Sequence, residues 1–450
     1  MTRQGRFEWS RSKLLVSGIL VRGGMESAEQ LKQLRSPAIS LMEADERVMR
    51  VFFSVGEPSG DLHASNLIRK LHQHDPTIEC VGLGGPKMAA AGCSLLRDLT
   101  TLAVMGFSQV FKHLREFFRV LDEAEAYLDA NPVDAIVLVD FPGFNWHMAR
   151  KAKKRGIPVY YYGVPQMWAW APWRVRKLRR LVDLAICKLP FEPKWFADRG
   201  CQAEYVGHPF FDQLSSQQYD EPFVAEQQAA EGPLLLLLPG SRNQEVRVHW
   251  PMLRAAAEQC LREHPELRVA VGCYREQQFQ QIEAELRAAG SPIRPYWNRT
   301  PELMRAADVC LACSGSVSLE LMYHQLPTVI VYRISRLMNL FKNTFLRCKY
   351  ITLVNLMASD SIERKTWATY DPDKPGAEDV PMPEYLTRRD CSAALARQVS
   401  RMLSQPEELQ RRRSWLGRLK QKFAIAGASE RAAEIILSKL ESRTERRRAA

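Results

Sequence analysis

The sequence lacks any apolar run long enough to cross a bilayer. Its most suggestive stretch, Leu14 to Val21, is short, contains Ser17 and Gly18 and leads to no convincing cleavage site, so neither a spanning helix nor an export signal is expected. A second Cys-x-x-Cys is also missing. Cys310-x-x-Cys313 stands alone inside an apolar run and the remaining cysteines are scattered singly, which argues against a zinc ribbon or a disulfide framework and for reduced, buried thiols in the cytoplasm. No strand-like run is followed by Gly-x-Gly-x-x-Gly, so a dinucleotide fingerprint is disfavoured. RNA-recognition, helix-turn-helix and zinc-finger signatures are absent as well. No tract is poor enough in apolar residues to predict extensive disorder. Acidic residues are in deficit, 51 against 63 basic, and the net charge of +12 favours anionic partners: nucleotides, phosphates, nucleic acid or acidic lipid. The basic clusters Arg150 to Arg155, Arg174 to Arg180 and Arg443 to Arg448 also read as ordinary solvated faces.

What is present is the size and rhythm of a two-domain α/β protein. At 450 residues the chain exceeds what one core usually organises. Residues 1–48 read as an extension, disordered or the product of an early start. From Met49, strand-length apolar runs alternate with helical patterns: Arg50 to Val55, Ile78 to Leu83, Ala135 to Asp140, Pro158 to Tyr162 and Leu184 to Cys187. After a Pro-, Gln-, Ser- and Glu-rich stretch the rhythm restarts with Leu234 to Leu238, Arg268 to Gly272, Val309 to Ala312 and Thr328 to Tyr332. This is the signature of βαβ units and parallel sheets, hence two Rossmann-like, doubly wound domains. The expected boundaries are 49–213 for the first, 214–232 for a linker and 233–390 for the second, followed by C-terminal helices over 391–440 and a basic tail over 441–450.

In such sheets ligands sit beyond the carboxyl ends of the strands, so the residues that matter stand just after each apolar run. The first run ends in Gly56-Glu-Pro-Ser-Gly-Asp61, whose glycines permit a tight turn and whose Ser59 and Asp61 suit a helix start, leaving Glu57 in a loop above the sheet. A capped turn without chemistry has the same pattern. Asp140 tips the run Ala-Ile-Val-Leu-Val and is placed to serve as a general base or merely to cap the next helix. Ser241, Arg242 and Glu245 follow Leu234 to Leu238, and the Arg fork suits pyrophosphate oxygens. Ser314, Gly315 and Ser316 follow Val309 to Ala312, where backbone N–H groups attract phosphate, and Glu320 stands one turn on to accept from ribose hydroxyls. Two such places in one domain suggest a nucleoside diphosphate site. Val104, Met105, Phe107, Val110, Phe111, Leu114, Phe117 and Phe118, interleaved with basic residues, suit a helix on a lipid surface, and equally an amphipathic core helix. Asp371-Pro-Asp373 reads as an ordinary turn rather than a metal pair.

Taken in order, these segments resemble the bacterial lipid-A-disaccharide synthases. The likeness runs from Met49 to about Leu440 and is carried by Gly56-Glu-Pro-Ser-Gly-Asp61, Gly82-Leu-Gly-Gly-Pro-Lys-Met88, Asp140-Phe-Pro-Gly-Phe-Asn145, Pro165-Gln-Met-Trp-Ala-Trp170, Phe191-Glu-Pro193, Val206-Gly-His-Pro209, Pro239-Gly-Ser-Arg242, Ser314-Gly-Ser316 and Leu353-Val-Asn-Leu356. The resemblance implies a GT-B architecture with its two Rossmann-like domains facing an inter-domain cleft, and an inverting, metal-independent transfer without a cofactor. The donor it implies is UDP-2,3-diacylglucosamine and the acceptor 2,3-diacylglucosamine 1-phosphate, joined β-1,6. It further implies Asp140 as base, Glu57, Ser59 and Asp61 on the acceptor side, and Ser241, Arg242, Glu245, Ser314, Gly315, Ser316, Glu320 and Asn355 on the donor side. The 104–118 segment would meet the cytoplasmic face of the inner membrane, with no nucleic-acid partner, and the C-terminal helices would pack back on the first domain or exchange in a homodimer. Gly143 stands where many relatives carry a second Asp, and 357–382 is longer than usual. A different GT-B enzyme, such as an undecaprenyl-intermediate transferase or a sugar-nucleotide epimerase, is the alternative within enzymes; a basic binding protein is the alternative outside them.

Overall fold

The computed structural model describes residues 48–100, 114–335, 347–364, 370–372, 374, 377 and 380–449. Val104, Met105, Phe107, Val110 and Phe111 therefore lie outside the described residues, as does the Leu114 side chain. Two parallel sheets organise the rest. The first contains β1 (Arg50–Val55), β2 (Glu79–Gly84), β3 (Ser94–Asp98), β4 (Ala135–Val139), β5 (Val159–Tyr162), β6 (Leu184–Cys187) and β7 (Ala203–Tyr205), in the order β3-β2-β1-β4-β5-β6-β7. The second contains β8 (Leu234–Leu238), β9 (Arg268–Cys273), β10 (Arg294–Trp297), β11 (Val309–Cys313), β12 (Thr328–Arg333) and β13 (Glu384–Thr387), in the order β10-β9-β8-β11-β12-β13. The inner strands β1, β4, β8 and β11 are buried almost throughout, which is why their sequences run as continuous apolar stretches instead of alternating.

Each order reverses direction once, between β1 and β4 in the first sheet and between β8 and β11 in the second. Helices from the neighbouring crossovers leave on opposite faces there and open a crevice. At the first reversal one side-chain amide bridges the carboxyl ends of the two paired strands. Asn145 is fully buried; its Oδ1 accepts from Ser54 Oγ at 2.6 Å, and its Nδ2 lies within hydrogen-bonding distance of the carbonyls of Ser54, Val139 and Asp140 at 3.1, 3.2 and 2.9 Å. Tyr161 Oη also donates to the Asp140 carbonyl, at 2.6 Å. These bonds hold Asp140 and Phe141 in the left-handed region, φ 45° and 40°, a conformation that costs a non-glycine residue about 1–2 kcal/mol. Gly56 makes room opposite, because a Cβ there would lie 2.2 Å from the Phe141 ring.

The lobes share apolar packing. One buried cluster runs from Phe52 and Phe144 through Phe211 to Leu236, Leu319 and Leu419. Within the stretch expected as a linker, 214–232, a helix forms over Glu221–Ala229: Asp220 accepts from Phe223 N at 3.1 Å and Val224 and Gln227 are buried. That helix packs on the helix Thr300–Ala306 and so belongs to the second lobe. Of the C-terminal helices, Ser392–Ser404 packs on the helix Asn243–Glu263 of the second lobe. Only Ala428–Ala449 returns to the first, burying Ala432, Ala433, Ile436 and Leu440 with Val51, Phe53 and Leu67.

Replacing Asn145 with Ala takes the acceptor from the buried Ser54 hydroxyl and the amide donor from the Ser54 and Val139 carbonyls, while the Asp140 carbonyl keeps Tyr161 Oη. Asn145→Ala is expected to lose roughly 2–4 kcal/mol of unfolding free energy by chemical denaturation; a loss under about 0.5 kcal/mol would remove this amide from its place in the fold.

Candidate functional site

Built outward from the two reversals, the site is lined by five strand-to-helix connections. On the first lobe, Glu57 stands at the N-cap of the helix Pro58–His74, just after β1, and the exposed Ser59 lies in the first turn of that helix. Asp140 follows β4, its side chain 23% exposed, and Lys188 follows β6. Lys188 Nζ donates to Asp140 Oδ1 at 3.1 Å. Across the cleft, Ser241 and Arg242 follow β8, the Arg242 side chain 78% exposed, while Ser314, Gly315 and Ser316 lie between β11 and the helix Val317–Tyr323, the latter two exposed. The loops of the two lobes share one electrostatic field. Burial and then Asp140 raise the Glu57 carboxyl above its usual range, and Arg242 from the other lobe and Lys188 oppose that rise.

The predicted residues divide between this open lining and the scaffold beneath it. Asp61 is buried, and its carboxylate accepts from the backbone N–H of Gly85, Lys87 and Met88 at 3.0, 3.0 and 3.1 Å, capping the helix Pro86–Ala90. Glu245 folds back on its own loop, accepting from Ser241 N at 3.1 Å, Arg242 N at 3.2 Å and the Arg242 guanidinium at 3.1 Å. Asn355 is buried; it donates to the Met382 carbonyl and to Glu384, and accepts from Met382 N. Glu384 in turn receives Ile351 N and Thr352 N at 2.7 and 2.9 Å. What these three residues offer directly is the shape of the loops. Glu320 differs: burial alone pushes its carboxyl up to about 7, and no described group donates to it. In the expected lipid-facing segment, Phe117 packs its ring on Phe144 and His147 at 5.0 and 5.8 Å, whereas Phe118 is 47% exposed.

Sequence reading passed over Lys188, His63 and His208. Lys188 hid in an apolar context after β6, and the two histidines lie 145 positions apart yet meet edge to face with ring centroids at 6.4 Å. His63 Nδ1 is buried with no partner among the described residues, and burial together with Lys188 lowers this imidazole to about 4.

Two doubly wound lobes with facing reversals define the GT-B class of nucleotide-sugar enzymes. Among solved structures the chain is similar to the UDP-GlcNAc 2-epimerase of Neisseria meningitidis bound to UDP-GlcNAc (11% identity, TM-score 0.54, covering 87% of this chain and 100% of that one). It is similar also to the calicheamicin glycosyltransferase (17% identity, TM-score 0.53, 88% and 99%). At such identities these likenesses speak for the fold alone. Residues 51–370 match the family model of lipid-A-disaccharide synthetase. The chain is 32% identical to the lipid-A-disaccharide synthase of Myxococcus xanthus over 87% of its own length and 97% of the relative's. The chain belongs to the lipid-A-disaccharide synthase family.

A neutral His63 ties stability to pH with a definite sign. Its folded value of about 4 lies below the ordinary 6.5, so its contribution is complete above pH 6.5 and is lost as pH falls toward 4. Glu320 and Glu384, both raised to about 7 from 4.5, act in the opposite sense and lose stability as pH rises through that window. His63→Gln is therefore expected to flatten the acid-side fall of the melting temperature relative to wild type. An unchanged slope would show that the imidazole is not held neutral.

Proposed function

We propose that the chain joins a diacylglucosamine unit from UDP-2,3-diacylglucosamine to the 6-hydroxyl of 2,3-diacylglucosamine 1-phosphate, releasing UDP and forming a β-1,6 disaccharide. The observation that carries the reading is the meeting of unlike chemistry in one cleft: Asp140 and Glu57 on one wall, Arg242 and the Ser314–Ser316 loop on the other, with Arg242 close enough to act on the Glu57 carboxyl. In the proposed step the Asp140 carboxylate accepts the proton of the acceptor 6-hydroxyl as that oxygen attacks the donor anomeric carbon from the face opposite the pyrophosphate. The new C1–O6 bond forms as the bond from C1 to the pyrophosphate oxygen breaks. The electron pair leaves with UDP, and the α configuration becomes β. Arg242 and the backbone N–H groups of Ser314 to Ser316 offset the charge growing on the departing phosphate. Glu320, a carboxyl without a described donor, receives the ribose hydroxyls.

Both substrates are acylated, so the enzyme works at a lipid surface. We place it peripherally on the cytoplasmic face of the inner membrane, engaged through 104–118. No helix among the described residues is long and apolar enough to cross a membrane. The exposed Phe118 in the helix Leu114–Ala130, with the exposed Arg115 and Arg119 beside it, supports this reading.

Asp140→Ala is expected to keep UDP affinity while turnover of the two lipid substrates falls by about 10²–10⁴-fold, the span usual for losing a general base; near-normal turnover would refute the base. The Glu320 carboxyl, at about 7, accepts ribose hydroxyls best when ionised, so UDP affinity is expected to rise between about pH 6 and pH 8. Calorimetric titration checks this. Glu320→Gln should weaken binding and remove the pH dependence, and a wild-type affinity flat across that range would exclude the contact.

A further inference from the structure

We infer that Lys188 is a positioning residue for the transfer: its ammonium grips Asp140 by Oδ1 and turns Oδ2 toward the acceptor hydroxyl. The inference rests on the reading of Asp140 as the base.

The pair is built from both sides. Lys188 is the first residue after the buried strand β6, and its backbone is fixed: the Lys188 and Leu189 N–H groups both donate to Glu192 Oε2 at 3.0 Å. Glu192 is itself buried, its other oxygen held by Trp168 Nε1 at 3.0 Å. From this anchor the Lys188 side chain, 19% exposed, reaches Asp140 Oδ1 at 3.1 Å. The space it crosses belongs to Gly163, φ +72°, after β5: a Cβ there would stand 2.7 Å from Lys188 Nζ and 3.2 Å from Asp140 Oδ1. The backbone of Asp140 is separately locked by Asn145 and Tyr161, so only its two side-chain torsions remain to be set. Among the described residues nothing donates to Oδ2, which lies on the Gly60 side, at the start of the helix Pro58–His74, 3.6 Å from where a Cβ of Gly60 would be. One oxygen is thus committed and the other is left free to accept.

The charged and titratable neighbours come from every element around the pair. They are Glu57 before the helix Pro58–His74, His63 within it, Tyr161 and Tyr162 on β5, His208 and Asp212 after β7, and Arg242 from the second lobe. The two histidines are held neutral by burial, with Lys188 among the groups that lower them, so within this group the ammonium and Arg242 oppose the carboxylates. An ion pair that served only stability would leave turnover chemistry untouched; one that aims the base would not.

The test compares Lys188→Met, Lys188→Gln, Lys188→Arg and Asp140→Ala in the full-length chain with both lipid substrates, using UDP affinity as the measure of folding. Lys188→Met and Lys188→Gln are expected to lower kcat by roughly 10- to 100-fold, with acceptor KM within about threefold. Lys188→Arg restores most of the rate. Wild-type kcat in either neutral variant, with Asp140→Ala inactive, overturns this inference alone. An active Asp140→Ala overturns the base assignment and this inference together. Should Lys188→Met fail to bind UDP, Lys188→Gln, which keeps most of the side-chain length, decides.

Discussion

The site depends on one buried amide. Asn145 spans the gap between β1 and β4, where the first sheet reverses, and bonds to backbone or side chain from both strands. Without it only Tyr161 Oη would restrain a left-handed Asp140 followed by a left-handed Phe141, each of which would relax toward a conformation its Cβ prefers. The strain is local and the restraint is local, so the position of the Asp140 carboxylate is decided by the core rather than by a surface loop. That is the arrangement a reactive group needs: its backbone is over-determined, and its freedom is confined to the side-chain torsions that a neighbour can set.

The second lobe follows the same logic with different parts. The loop after β8 is folded on Glu245, which receives two backbone N–H groups and the Arg242 guanidinium. The loop ahead of the helix Leu353–Ala358 is folded on Glu384, which receives Ile351 N and Thr352 N while Asn355 bridges it to Met382. Asp61 does the same for Gly85 to Met88. Carboxylates that look catalytic by composition shape loops here. Glu57, Asp140 and Glu320 are the ones whose carboxylates receive no backbone N–H among the described residues. Separating the two kinds requires knowing where each backbone N–H points.

How much was legible in the sequence follows from that distinction. The central strands were readable because burial on both faces turns them into unbroken apolar runs, and Leu234–Leu238 has the bounds its composition suggests. The edge strands β3, β7, β10 and β13 were not, because a half-buried edge such as Ser94–Asp98 carries too few apolar residues to stand out. The helix Glu221–Ala229 was hidden inside a Pro- and Gln-rich stretch and betrayed only by Asp220 at its cap and Pro222 in its first turn. The residues after each strand were found because topology dictates where ligands gather. Lys188 escaped because a single cation after an apolar strand carries no local pattern, and its partner lies 48 positions away. Phe117 and Phe118 were read together, yet one turns into the core and the other outward, a difference that one helical step is enough to produce.

Fold alone does not choose between transfer to an acceptor and rearrangement of a bound sugar, since epimerases and glycosyltransferases share these lobes. The most direct measurement incubates the purified chain with UDP-2,3-diacylglucosamine and 2,3-diacylglucosamine 1-phosphate, then follows the lipid by mass spectrometry and its anomeric proton by NMR. A cleft that aims one sugar hydroxyl at the back of another sugar's anomeric carbon gives a β-linked disaccharide 1-phosphate and one UDP per disaccharide. An α-linked product, a rearranged donor without any disaccharide, or UDP release that does not require the acceptor would contradict it.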